Sequence, residues 1–347
     1  MRKKLFSVIV LVILSNCITY AQKANHQVMA LAFYNMENFF DYINDPNNAG
    51  DDEFTPSGTY HYTEQIYDQK LHNLATVLQQ LGQEVTPDGP ALIGCAEIEN
   101  DKVLQDLIAQ PEIKDRHYRF VHFDSPDERG IDVALIYNPK YFRVIEANAI
   151  PVNISGTGGK ETTRDVLHVF GILGGDSVHV FVNHWPSRRG GEAASAPKRA
   201  IAAQVNKHCV DSLLARKPTT KIIVMGDLND DPTNASVMKV LEAKGEKESV
   251  MQTDLYNPFV KLYQNGIGTL AYDDKWDLFD QIIFSGEWLK NDSWSFYKAE
   301  IFNKDFLIEK FGQYKGYPHR SFEGTEWNNG YSDHFPSIVY LIDSLSN

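Results

Sequence analysis

Cysteine is scarce: three occur in 347 residues. Cys17 falls in an N-terminal segment treated below, which leaves Cys95 and Cys209. A disulfide framework is therefore not what stabilises the fold, and a chain of this length buries a sufficient core without one. Cys95 lies in the apolar run 91–96 and Cys209 in a helical pattern after Lys198, so both read as small core residues. Basic charge is also short, with 33 Lys and Arg against 46 Asp and Glu, a formal charge of -13 and a pI near 5.3. That balance opposes long-range capture of a polyanion such as nucleic acid, though not a small phosphate substrate or a locally basic cleft. Past the N-terminal segment no apolar run approaches the roughly 18 residues of a membrane span. With neither a 20–50 residue repeat nor a Ser/Pro-rich linker, residues 22–347 are expected to form one large domain.

Residues 1–21 are read separately. Arg2, Lys3 and Lys4 form a positive start, residues 5–14 an apolar stretch too short to span a bilayer, and Thr19-Tyr20-Ala21 a small-residue cleavage site. This is the pattern of a secretory signal peptide, which predicts a secreted or periplasmic protein. Its removal would leave 30 basic and 46 acidic residues, formally -16. Lipidation at Cys17 is the alternative, and the preceding Asn16 fits it poorly.

Segments rich in Val, Ile and Phe predict strands over 28–34, 91–96, 118–123, 133–137, 166–173, 178–182, 221–225, 281–284 and 337–342. Tyr67, Leu71, Leu74, Leu78 and Leu81 recur at helical spacing, as do Ile201, Val205, Cys209 and Leu213, with Gly82 and Pro218 as stop signals. Gly174-Gly175-Asp176 joins two strands as a hairpin. Many strands follow one another without a helix between them, which excludes a doubly wound parallel sheet and leaves a layered sandwich of mixed sheets with helices outside. Residues 44–63 combine Pro46, Gly50, Pro56 and Gly58 with Asp45, Asp51, Asp52 and Glu53, and read as an acidic loop: a lid, a metal-binding loop or, more plainly, a solvated insertion. The run Asp51-Asp52-Glu53 lacks the alternating ligands of a calcium-binding loop.

Acids, amides and imidazoles collect at strand ends. Asn35 and Glu37 follow the first strand, Glu97 the second, Asn183 and His184 the strand from Val178, and Asp227 and Asn229 the strand from Lys221. Asp280 and the pair Asp333-His334 precede theirs. If the second group runs antiparallel to the first, all these places share one edge, in the outline of a metal-dependent hydrolytic site. Each residue alone has an ordinary reading: Asp227 or Asp280 as a cap, His184 as a loop histidine. His26, His61, His72, His117, His122, His168, His179, His208 and His319 keep that reading, since no spacing joins them into a ligand set.

The segments Tyr34-Asn35-Met36-Glu37-Asn38, Cys95-Ala96-Glu97-Ile98, Arg129-Gly130-Ile131-Asp132-Val133-Ala134, Val182-Asn183-His184-Trp185, Met225-Gly226-Asp227-Leu228-Asn229-Asp230, Phe279-Asp280-Gln281-Ile282 and Ser332-Asp333-His334-Phe335-Pro336 occur in one order. In this the chain resembles the endonuclease/exonuclease/phosphatase, or deoxyribonuclease I-like, superfamily from about 28 to 342. The run 184–191 is most similar to secreted bacterial nucleases within it. The resemblance implies an α+β fold, a four-layer α/β/β/α sandwich of two mixed β-sheets with outer helices. It implies Glu97 as principal ligand of a divalent ion with Asn35 and Asp333 beside it, the ion being magnesium or manganese, with calcium a further option. Asp227 and Asn229 would orient the attacking water and the phosphate, Asp280 would hold His334 in its working tautomer, and His184 would contact the phosphate or protonate the leaving oxygen. Substrate contacts would come from Arg129, Asn183, Arg188 and Arg189. Glu37 stands where relatives carry Asp or Glu.

The sequence thus predicts a secreted, metal-dependent phosphoester hydrolase, foremost a phosphodiesterase or endonuclease on nucleic acid. The acidic surface speaks for a phospholipid or sugar-phosphate hydrolase of the sphingomyelinase or inositol-phosphatase type. Arg188-Arg189 and Lys198-Arg199 speak for the nuclease. A catalytically silent binding protein would have no physical need of Glu97, His184, Asp227, Asn229, Asp280 and His334 together. The residues leave oligomeric state open.

Overall fold

The computed structural model describes residues 26–46, 48–157 and 162–344. The predicted signal segment, Cys17 included, lies outside them. The chain opens with strand β1 (His26–Phe39), helix α1 (Glu64–Gln80), β2 (Leu92–Ile98), α2 (Asp101–Ile108), β3 (Arg119–His122), β4 (Asp132–Tyr137) and β5 (Phe142–Ile150). It continues with β6 (Val166–Leu173), β7 (Asp176–His184), α3 (Glu192–Arg216), β8 (Lys221–Asp227), β9 (Ala243–Lys244), β10 (Leu255–Tyr256) and α4 (Phe259–Gln264). The remainder is β11 (Leu270–Tyr272), β12 (Lys275–Asp277), β13 (Asp280–Ser285), β14 (Ser295–Ile301), β15 (Phe322–Glu323), β16 (Glu326–Trp327) and β17 (Ser337–Ser344).

Two mixed sheets result, one ordered β14-β17-β1-β2-β4-β3 and the other β5-β6-β7-β8-β13-β10-β9. Their central strands are buried along their whole length, β2 and β8 at every residue, because each is covered on both faces. Apolar residues of both sheets share one core, which also takes Leu71, Leu74 and Leu78 of α1. A second cluster joins Ala202, Ala203, Val210 and Leu214 of α3 to Ile222 and Val224 of β8. The architecture is the expected α+β sandwich of two mixed sheets flanked by helices. Among the described residues Cys95 and Cys209 form no disulfide.

Three differences from the sequence reading matter for the site. Strand β1 runs past 34 to Phe39, with irregular pairing to β2 between Asn35 and Phe39. Helix α3 begins at Glu192, before Pro197 rather than after it. The 44–63 insertion is exposed over much of its length, as expected, but its aromatic residues anchor it to the core: Phe54 stacks on Phe40 at 4.3 Å and on Tyr60 at 4.5 Å, and Tyr62 is wholly buried.

Candidate active site

Strand register brings the polar ends together. Strands β7 and β8 are parallel, pairing His184 with Asp227, while β13 runs antiparallel to β8 and pairs Asp280 with that same Asp227. In the other sheet β1 and β2 are parallel, with Asn35 opposite Ala96, and β17 returns antiparallel to β1. The ends of β1, β2, β7 and β8 and the starts of β13 and β17 therefore share one edge.

Two irregularities turn side chains toward that edge. Glu97 sits at φ +62° where the pairing of β2 with β4 slips between Ala96 and Ile98, and Glu37 and Asn38 have φ of +48° and +47°. Such backbone costs a non-glycine residue about 1–3 kcal/mol, and a bulge re-aims the side chain it displaces. Asn229, at φ +49°, returns its own N–H to Asp227 Oδ1 at 2.9 Å.

Asp227 is the hub of the site. Its Oδ2 accepts Asn35 Nδ2 at 3.0 Å and lies 3.6 Å from His184 Nε2 and 4.0 Å from His334 Nε2. His334 in turn donates from Nδ1 to Asp280 Oδ2 at 2.7 Å. Burial pushes Asp227 up to about 6, despite the pull of His334 and of its two N–H donors. Burial alone would lower His334, but the bonded Asp280 carboxylate, with Asp227 and Asp333, holds it well above the ordinary imidazole range. His184 goes the other way: burial, with Arg164 and Arg129 nearby, keeps its imidazole neutral. One charged and one neutral imidazole thus face a single carboxylate.

Glu97 lies beside this group. Its Oε2 accepts Asn38 N at 2.7 Å and meets Arg129 Nη2 at 3.2 Å. Burial opposes its charge, yet Arg129, the Asn38 N–H and His334 outweigh it and hold the carboxylate below its usual range. Asp333 sits at the rim, bonded to Arg320 Nη2 at 3.0 Å. Glu37 is raised to about 7 by burial and by Asp333, and its Oε2 accepts Ser321 N at 2.6 Å.

Two predicted substrate residues do not face the cleft. Asn183 is wholly buried, its Oδ1 receiving Trp185 Nε1 at 3.0 Å and Asn206 Nδ2 at 2.6 Å. Arg188 lies over the Phe279 ring at 4.5 Å and pairs with Asp231 at 3.1 Å and Asp230 at 3.5 Å, so its charge is spent inside the fold. Arg199 is likewise buried, against Asp230 at 2.7 Å. Arg189 does face outward, lining a 260 Å³ cavity with Arg129, Arg164, Lys198, Thr163 and Ser187. Sequence reasoning passed over Arg164, which donates to the carbonyls of His184 at 3.1 Å and Trp185 at 2.6 Å while pairing with Asp127 at 2.9 Å. It also passed over Lys70, whose ammonium donates to Glu37 O at 2.6 Å and Ser321 Oγ at 2.7 Å. No local motif marks either residue. A second cavity, of 290 Å³, is lined by Tyr272, Tyr314 and Tyr317 together with Arg320 and Asp333.

The donor set suits a hard divalent ion. Asp227, Asp280 and His334 each offer an atom within 4.8 Å of the others, and Asp280 Oδ1 is buried without a hydrogen-bond partner among the described residues. Glu97 adds a carboxylate that the site keeps ionised. All but one of these donors are oxygens, the preference of magnesium, manganese or calcium.

Comparison with known proteins agrees with this geometry. A sequence profile described as the endonuclease/exonuclease/phosphatase family matches residues 30–343. No curated protein matches in sequence. Among solved structures, humanized D. rerio TDP2 superposes with a TM-score of 0.53 at 12% identity, covering 91% of this chain and 99% of that one. An endonuclease/exonuclease/phosphatase family protein of Bacteroides thetaiotaomicron gives 0.53 at 16% identity, with 93% and 98% covered. A mannosyl-6-phosphatase of the same organism gives 0.52 at 16% identity, with 90% and 99% covered. At such identities the likeness is one of fold.

Proposed function

The chain belongs to the endonuclease/exonuclease/phosphatase family, and from that premise we propose a divalent-metal-dependent phosphoester hydrolase, acting as a phosphodiesterase on nucleic acid. One observation carries the chemistry: Asn35, His184 and His334 converge on Asp227 while Asp280 anchors His334 from behind.

Asp227, at about 6, is ionised at neutral pH yet basic enough to take a proton from water as it attacks phosphorus. Asn35 and the Asn229 N–H fix the direction of that carboxylate. His334, kept charged by Asp280, offers an N–H to oxygens on which negative charge develops, and neutral His184 offers a second. Arg164 fixes the backbone from which His184 projects. Ion binding through His334 Nε2 would take away the N–H it offers in the cleft, whereas Glu97, Asn35 and Asp333 can serve as ligands with that donor and its Asp280 anchor intact. A divalent ion on those three would supply Lewis acidity toward a phosphoryl oxygen.

The two cavities support the substrate class. Arg129, Arg189 and Lys198 form a compact basic pocket for a neighbouring phosphate, and the tyrosine cavity gives a planar ring a surface beside Asp333. A second reading, hydrolysis of a sugar phosphate, is favoured by the small volume of the basic pocket, 260 Å³. Residues 1–21 add export to the proposal, to a secreted or periplasmic location. Assay against plasmid DNA, RNA, sphingomyelin and inositol and hexose phosphates with magnesium separates these readings. Cleavage of the polymers is expected; turnover of monoesters alone would replace the nuclease with a phosphatase.

A further inference from the structure

One guanidinium beside the cleft has no part in the chemistry above. Arg320 Nη2 meets Asp333 Oδ2 at 3.0 Å, and its Nε lies 3.7 Å from Glu37 Oε1. Nε is buried and among the described residues has no hydrogen-bond partner. Both members of the Asp333 pair reach water, with the Arg320 side chain 40% and the Asp333 side chain 37% exposed. A rim pair so wetted contributes little to stability, so it can be exchanged for another partner at small cost.

The backbone around Arg320, by contrast, is pinned. Tyr331 N donates to His319 O at 2.7 Å, Ser321 N to Glu37 Oε2 at 2.6 Å, and Asn328 Nδ2 to Arg320 O at 3.3 Å. Gly330 packs so closely that a Cβ there would stand 2.1 Å from Arg320 O. Only the side chain can change partner. It lines two cavities, the 290 Å³ one beside Tyr272, Tyr314 and Tyr317 and another of 250 Å³ beside Phe311, Tyr314 and Glu323. Among the described residues it is the one basic side chain lining either.

We propose, on the reading of Asp333 as an ion ligand, that Arg320 is a substrate-phosphate ligand which the ion-free site stores on Asp333. A divalent ion on that carboxylate more than neutralises it and repels the guanidinium, whose Nη atoms then pass to a phosphate oxygen at the mouth of the tyrosine cavity. The planar fork fits phosphate as well as it fits carboxylate. Glu37 is met through Nε and does not compete for the Nη atoms. Ion and phosphate should then each bind more tightly when the other is present.

The test is a double-variant cycle on the whole chain, read as affinity for inorganic phosphate by calorimetry. In excess chelator Asp333→Asn should strengthen binding by about fivefold or more, the lower end of ordinary coupling between sites, because it empties the store. In the Arg320→Met background the same substitution should change affinity by less than about twofold, the scatter of independent sites. Phosphate held elsewhere, as beside Arg189, enters all four proteins alike and cancels. A gain that persists without Arg320 would reflect only the lost negative charge and would overturn the proposal. Both residues are partly exposed, so the four proteins should melt alike; should Asp333→Asn not fold, the wild type and Arg320→Met decide alone, titrated with phosphate in magnesium. Magnesium should raise the affinity of the wild type, and raise it about tenfold less without Arg320, the worth of one hydrogen bond to a charged group. Equal rises would overturn the proposal. Magnesium without effect on the wild type, with the chelator cycle as expected, would overturn instead the reading of Asp333 as an ion ligand.

Discussion

His334 donates its Nδ1–H to Asp280 Oδ2 at 2.7 Å and keeps that proton, and the accepting carboxylate has no exposure to solvent. Burial makes the bond a strong determinant of imidazole charge, and it leaves Nε2 as the only ring atom free to act in the cleft. Asp280→Asn keeps the shape and removes the charge. It and His334→Ala should each lower turnover by roughly 10² to 10⁴, and the double variant should be little worse than His334→Ala. Fully additive losses in a double-mutant cycle would show that the two act separately.

Arg188 and Arg189 are neighbours with opposite fates. Arg188→Ala leaves Asp231 without its guanidinium, and Asp231 is 3% exposed. The expected loss, read from urea unfolding, is about 2–4 kcal/mol, the lower part of that range applying because Arg199 still neutralises Asp230. Arg189→Ala should leave stability unchanged and reduce the salt dependence of nucleic-acid binding by about one counterion. A changed salt slope for Arg188→Ala with unchanged stability would reverse the assignment.

That contrast marks what the sequence could convey. The strand ends holding Glu97, His184, Asp227, Asp280 and His334 were legible because each polar residue interrupts an apolar run; the antiparallel return of β13 and β17 was only a condition in the sequence, and the pairing of β13 with β8 and of β17 with β1 supplies it. Asn183 and Arg188 were not. Both sit beside site residues in sequence, and only the fold reveals that Asn206 and Asp231 reach them first. Arg164 carries no local signal, because its role is to hold the carbonyls of residues 184 and 185. Strands β5 and β14 were missed since charges such as Arg143, Glu146, Lys298 and Glu300 interrupt their apolar pattern, β5 having a single buried residue.

Activity should rise with pH through a limb near 6. Asp227 titrates at about 6 in the folded protein; below that value it is protonated and cannot accept a proton from water, so the loss falls on the acid side. Asn35 lowers the value by donating to the carboxylate. Asn35→Ala, measured at saturating magnesium, should therefore move the limb of kcat/KM to higher pH. An unmoved limb would mean that another group titrates.

Acid stability should depend on His179. Burial, with His168 beside it at 2.9 Å, depresses its value from 6.5 to about 4. Between those pH values the unfolded chain binds a proton that the folded chain does not, so stability falls as pH drops from 6.5 toward 4. His179→Gln should lessen the difference in urea midpoint between pH 7 and pH 4.5. An identical difference would show that the pair is open enough to water to titrate normally.

Metal-dependent phosphoester hydrolysis in the cleft around Asp227 and Glu97 is decided by single-turnover cleavage of a phosphodiester. Wild-type protein, chelator-treated protein, chelator-treated protein restored with magnesium, and the Glu97→Gln variant should be compared under one condition. Cleavage is predicted for the first and third, with at least a hundredfold loss for the second and fourth. Equal rates in all four, or full activity of Glu97→Gln in excess chelator, would mean that hydrolysis needs neither the ion nor Glu97.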